Sequence, residues 1–255
     1  MTLNRLAFAI SVAVVASFGL CVPSYAATTI SFTGGSSATD GTDGIIRSFS
    51  NGGIAVQASG WSFINNILTQ AYLGSYSSGL GVTNSSEGTG GSSNSHTIDN
   101  VGQSDFVLLV FSQSVNIASG VLTPFSVSST ALDNDARVSF ATLGGAFTSP
   151  TATAVPLNSS AWVTLAANGY NVNGNTAAPY TTSLNSTGRY GNVWLIGAAQ
   201  PNPDANYDGF KLSSISVNSA VPEPATWAMM LIGLGAIGAS MRRRPAKIRR
   251  KVSFA

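Results

Sequence analysis

Cysteine is almost missing from this 255-residue chain: Cys21 is the only one, and it lies inside an apolar N-terminal run. A body without thiols cannot be crosslinked by disulfides, and zinc, which takes nitrogen and thiolate ligands, would have a single histidine, His96, to draw on. Charge is scarce as well, at 9% of residues, which leaves too little Glu and Lys for solvated helices. The basic residues are also misplaced for a nucleic-acid partner. Seven of the 12 lie in the last 14 positions, and residues 27–220 hold four bases (Arg47, Arg137, Arg189, Lys211) against nine acids, a balance of −5. What is abundant is Gly, 27 in all, with long stretches of Ser, Thr and Asn, a composition that suits a loop-rich β protein.

Two long apolar runs stand at the ends. The first, LAFAISVAVVASFGL over 6–20, follows Arg5 and precedes Pro23 and the small residues Ser24 and Ala26. Small residues at positions −3 and −1 of a cut between Ala26 and Ala27 give the layout of a secretory signal peptide, 1–26, read by the Sec export machinery and signal peptidase. The neighbours of Cys21, Leu20 and Val22-Pro23, are not the small residues that flank a lipidated cysteine. The second run, 225–241, carries no charge and would extend about 25 Å as a helix at ~1.5 Å per residue, close to a bilayer core. Trp227 sits where an aromatic ring meets the interface, and the arginines that follow favour the cytoplasmic side, so a single transmembrane helix would leave the body outside.

Val221, Pro222, Glu223, Pro224, Trp227 and Ala228, then an apolar segment with Gly233, Gly235 and Gly238, then Arg242, Arg243 and Arg244, resemble the PEP-CTERM sorting signal in its PEPxxWA variant. The resemblance covers 221–244; the basic tail 245–255 runs further past the arginines than such signals usually do. It implies recognition and cleavage near Pro222-Glu223-Pro224 by an exosortase, a membrane protease or transpeptidase, in Gram-negative bacteria that export polysaccharide into a biofilm matrix.

Between the ends, residues 27–220 alternate polar and apolar positions at 28–32, 54–61, 106–115, 137–143, 161–165, 193–196 and 210–217, each rich in β-branched and aromatic residues. Short strands separated by Gly, Ser and Asn clusters predict an all-β body, a β-sandwich of jelly-roll kind. Residues 64–72 fit either a short helix or a loop with apolar anchors, and 75–95 read as a long surface loop. Gly79–Val82 (GLGV), His96–Asn100 (HTIDN) and Asp105–Leu108 (DFVL), followed by Asp133-Asn134-Asp135, are similar to a family of exosortase-dependent surface proteins, whose members carry cysteines near the HxxDN segment where this chain has none. That family has no assigned reaction.

Candidate sites are few. A catalytic triad would have to be built on His96 alone, and no G-x-S-x-G elbow occurs, which favours a loop histidine hydrogen-bonded to backbone beside Asp99 and Asn100. Acids recur in turn-like clusters: Asp40 and Asp43, Asp133 and Asp135, Asp204 and Asp208. Such clusters either cap backbone amides in turns or, as oxygen-rich loops, bind Ca²⁺; Asp133 with Asp135 is the first candidate for calcium. Trp61, Trp162 and Trp194 could stack on sugars but sit in strand-like runs that favour the core. The expectation is an exported, exosortase-processed surface or matrix protein without catalytic activity. The alternatives are a carbohydrate-binding module or adhesin on exported polysaccharide, and a polysaccharide hydrolase.

Overall fold

The computed structural model describes residues 27–35, 41–65, 67–87, 96–128, 131–142, 154–156, 164–165, 167–219 and 224–242. The expected signal peptide with Ala26, the positions Val221, Pro222, Glu223, Arg243 and Arg244, the tail 245–255, Asp40 and Trp162 lie outside them. The body, Tyr25–Val221, is one compact unit, and the C-terminal helix belongs to a second.

Among the described residues, thirteen strands make the body: β1 Thr28–Ser31, β2 Ile46–Asn51, β3 Ile54–Ile64, β4 Ile67–Tyr76, β5 Gly79–Thr83, β6 Ile98–Asp99, β7 Ser104–Pro124, β8 Ala136–Ala141, β9 Ala154–Pro156, β10 Tyr170–Val172, β11 Thr181–Ser183, β12 Gly191–Ala198 and β13 Gly209–Ser219. The organising element is β7, whose 21 residues would extend about 70 Å at ~3.3 Å each. Its first half pairs with β3 and β12, so that Val107 lies opposite both Gly60 and Ile196. Its second half pairs with β13 and β11.

The body is all-β as expected, but its sheets are not the two separate layers of a sandwich. β13, β5, β4, β3 and β7 follow one another by hydrogen bonding, and β13 also pairs with β7, so five strands close into a barrel with the others attached. Closure is possible because β7 serves different neighbours along its length. Register shifts at Leu212/Ser214 and Ser216/Val217 mark irregularities in the β13–β7 pairing of the kind that bends and twists a strand.

Both faces of β7 are covered, which explains the nearly unbroken apolar run of Phe106–Phe111. Val107, Leu109 and Phe111 join the main core with Phe32, Leu73, Leu80, Ile117, Leu122, Trp194, Phe210 and Ile215. Phe106 and Leu108 point the other way, into a smaller core with Trp61, Leu68, Val193 and Leu195. Trp61 and Trp194 are fully buried, each donating its indole N–H, to Ser59 Oγ and the Gly191 carbonyl. Neither is available to stack on a sugar.

Three local expectations are corrected. The described residues of 64–72 hold no helix: β3 ends at Ile64, Asn65 takes a positive φ (52°), and from Ile67 the chain runs as β4, where Leu68 and Tyr72 find buried places opposite β3 and β5. The expected loop 75–95 contains β5, buried along its length because Leu80 and Val82 face the core. The expected strand 161–165 is helical at Thr164 and Leu165, and the amide of Asn168 donates to the Thr164 carbonyl in an i to i+4 bond.

The C-terminal helix spans Pro224–Met241, with Met229–Met241 exposed. Its 18 residues measure about 27 Å at ~1.5 Å each, short of a bilayer core of ~30 Å. Among the described residues no helix is long and apolar enough to cross a membrane.

Candidate cation site

Asp133 and Asp135 precede β8, and Asp208 immediately precedes β13; the fold brings one carboxylate oxygen from each within 4.8 Å of the others. Backbone bonds fix this meeting. The Gly209 amide donates to the Asp133 carbonyl (2.8 Å), and the Ala199 amide, just past β12, donates to the Asp135 carbonyl (3.1 Å). The Asp135 amide donates to Asp133 Oδ1 in a turn (3.3 Å), and the Gly174 amide donates to Asp135 Oδ1 (2.7 Å).

Asp208 is fully buried. Its Oδ2 accepts from Asn100 Nδ2 at 2.6 Å, and its amide donates back to Asn100 Oδ1 at 3.0 Å, while its Oδ1 has no hydrogen-bond partner. Burial first, then the charges of Asp133 and Asp135, push the Asp208 carboxyl up to about 8. Burial and the Asp135 charge raise Asp133 as well. Three carboxylates turned towards one another, one of them buried with an oxygen that accepts nothing, are stabilised by a proton or by a cation. The donors are all oxygen, which suits calcium or magnesium rather than a thiolate-seeking metal.

The turn-capping alternative holds for Asp204, whose Oδ1 accepts from the Asn206 amide (2.7 Å) on an exposed loop. Asp208 therefore parts from Asp204, its neighbour in sequence, and joins Asp133 and Asp135, more than seventy residues away. Local spacing carries no signal for that meeting, which is made by the positions of β8 and β13. Asn100 was visible only as the last residue of HTIDN; its part is to orient Asp208.

His96 does not make the backbone bond expected of it. Its Nδ1 is buried without a partner, and its ring packs on Tyr76, centroids 4.9 Å apart. Asp99, the acid nearest to it in the motif, accepts from Thr97 Oγ1 (2.6 Å) and the Val101 amide (2.9 Å). Of the sorting residues, Pro224, Trp227 and Ala228 lie in the C-terminal helix and Arg242 just after it. Ala27, on the mature side of the expected signal cut, lies directly before β1 and is exposed.

Comparison with curated proteins finds no match, and comparison with solved structures finds none either. Residues 220–244 match the family model described as the PEP-CTERM protein-sorting motif. That motif implies export, processing by exosortase, itself a membrane protein, and association with the cell surface. The chain carries a PEP-CTERM sorting motif at its C-terminal end, as the PEPxxWA residues and the following arginines indicated.

Proposed function

We propose that this is an exported surface or extracellular-matrix protein whose β body acts by binding rather than by catalysis, and whose fold is locked by Ca²⁺ at Asp133, Asp135 and Asp208. The observation that carries the export route is the sorting motif at 220–244, preceded at the other end of the chain by a secretory signal layout. Signal peptidase would release residue 27 as the new N-terminus, and the short apolar helix of Pro224–Met241 would hold the chain at the membrane until exosortase cuts near Pro222–Pro224. A non-catalytic body is supported by the setting of His96, whose ring is spent on Tyr76 while Thr97 serves Asp99. Calcium is supported by the all-oxygen donor set and by the unpartnered, buried Oδ1 of Asp208. The test of the route is the triple change Pro222→Ala, Glu223→Ala and Pro224→Ala, followed by cell fractionation. Retention of the variant in the membrane fraction is expected, and release equal to the unaltered chain would sink the proposal.

A second reading, attachment to exported polysaccharide, is favoured by one feature. An open cleft is lined by Asn168, Tyr170, Ser186, Thr187 and Arg189, hydrogen-bonding and aromatic groups of the kind that recognise sugars. Co-sedimentation with polysaccharide from the producing cells, lost on Arg189→Ala, would support it; equal sedimentation of the variant would not.

A further inference from the structure

The three sequence segments that resembled a surface-protein family, 79–82, 96–100 and 105–108, come together in space around a second group of acids. Gly81 in β5 lies against the backbone before β6: a Cβ there would overlap the His96 carbonyl oxygen, so the bare glycine lets residues 96–99 pack on the strand. Asn84 follows β5 and is buried; its Nδ2 donates to Asp105 Oδ1 at 3.0 Å. The turn after it is closed by the Glu87 amide on the Asn84 carbonyl (3.1 Å), and the Asn84 amide donates to Glu87 Oε2 (2.7 Å). Asp99 comes from β6 and Asp105 from the start of β7. Glu87, Asp99 and Asp105 each offer a carboxylate oxygen within 4.8 Å of the other two.

The independent observation is Asp105. It is fully buried, and its Oδ2 has no hydrogen-bond partner. Burial raises all three carboxyls, Asp99 to about 6 and Glu87 to about 8, with Asp105 well above the ordinary range, and the other charges acting on Glu87 and Asp105 are those of carboxylates in the same group. The body's four basic side chains make contacts elsewhere. Lys211 places its ammonium over the Tyr76 ring (3.8 Å), Arg189 lies over Phe140, Arg47 donates to the Leu73 carbonyl and Arg137 to that of Gln200.

We infer that Glu87, Asp99 and Asp105 form a second divalent-cation site, of the class that takes Ca²⁺, with Asp105 as its buried anchor. The donors are hard oxygens. Three oxygens at about 2.3–2.6 Å from one ion lie up to about 4.0–4.5 Å from one another, so groups already within 4.8 Å need only small side-chain adjustments to close on it. The site is distinct from the Asp133 group but adjoins it through one backbone step. Asp99 faces this group while the next residue, Asn100, holds Asp208 in the other. Asp99 and Gly209 are also paired in the β6–β13 ladder. Cations in both groups would tie the turn after β5 and strand β6 to the starts of β7 and β13.

The experiment is isothermal titration of the full chain, purified in detergent and stripped by chelator, with CaCl₂ as the probe. One ion is expected per carboxylate group. Asp105→Asn and Glu87→Gln are each expected to weaken one binding event by at least about tenfold and leave the other, while Asp208→Asn removes the complementary event. Should Asp105→Asn fail to fold, Glu87→Gln, on the half-buried turn after β5, decides the matter. A chain that binds no Ca²⁺, or one whose binding is unchanged by Glu87→Gln, overturns the inference. Binding of a single ion, abolished by Asp208→Asn alone, overturns it too while leaving the Asp133 site standing. Loss confined to the Asp105 and Glu87 variants has the opposite meaning.

Discussion

Replacing Asp208 by Asn should change the sign of its effect on stability according to whether calcium is present. Without the ion, Asp208 is a buried carboxyl facing Asp133 and Asp135, raised to about 8 by burial and by those charges. Asparagine removes the charge, yet its carbonyl can still accept the bond from Asn100 Nδ2 that Asp208 accepts at 2.6 Å. In chelator the variant should therefore be as stable as the parent or more so. With the ion the order reverses. A site of extracellular type, Kd about 0.1–1 mM, contributes about 1.4–2.7 kcal/mol at 10 mM Ca²⁺. At roughly 2–4 °C per kcal/mol for a body of this size, that is about 3–11 °C in Tm from each site. The assay is thermal unfolding followed by circular dichroism, in EDTA and in 10 mM CaCl₂. The parent should gain the shift of both sites, the variant only that of the Glu87 group. An equal calcium shift in parent and variant would refute the reasoning, as would a variant much less stable than the parent in EDTA, which would make Asp208 a structural carboxylate without a cation.

Two further outcomes follow from the core. Trp194 is fully buried, packs on Phe140 at 5.3 Å and is hydrogen-bonded to Gly191, so Trp194→Ala should cost about 3–5 kcal/mol, read as a fall in the urea midpoint; a loss under about 1 kcal/mol would show that the two cores do not meet β12 as described. Lys211 is buried over Tyr76, and burial lowers its ammonium from the ordinary 10.5 to about 8. The folded state thus binds fewer protons than the unfolded one between those values, so stability attributable to this group rises with pH across that window. Lys211→Met should be more stable than the parent at pH 7 and lose that advantage by pH 10.5, and parallel stability curves for the two proteins would contradict it.

The strands that alternate, such as β13 and the first part of β3, were legible because they place one face on the main core and obey a period of two; β12, covered on both faces, was legible as a short run of β-branched and aromatic residues between glycines. β4 was not: ILTQAYLGSY mixes Gly and Ser with its apolar positions, and only pairing with β3 and β5 makes it a strand. Closure of the barrel was equally hidden, because nothing local in β7 tells that its two halves change partners. For the acids, Asp133 and Asp135 stood out as a pair two residues apart. Asp208, Glu87, Asp99 and Asp105 reach their groups through turns and strand ends distant in sequence. The motif segments 79–82, 96–100 and 105–108 did carry the information, as glycine, acid and amide positions whose common purpose appears only when Gly81 is seen against His96 and Asn84 against Asp105.

Export and sorting are tested most directly by the intact mass of the protein recovered outside its native cells, set beside that from cells lacking exosortase. Sorting requires a mass below the 26.0 kDa of the whole chain, corresponding to a start at residue 27 and an end near Pro222–Pro224, and no such species from the exosortase-deficient cells. A mass that retains Arg242 and the residues after it, or the same product from both strains, would contradict it.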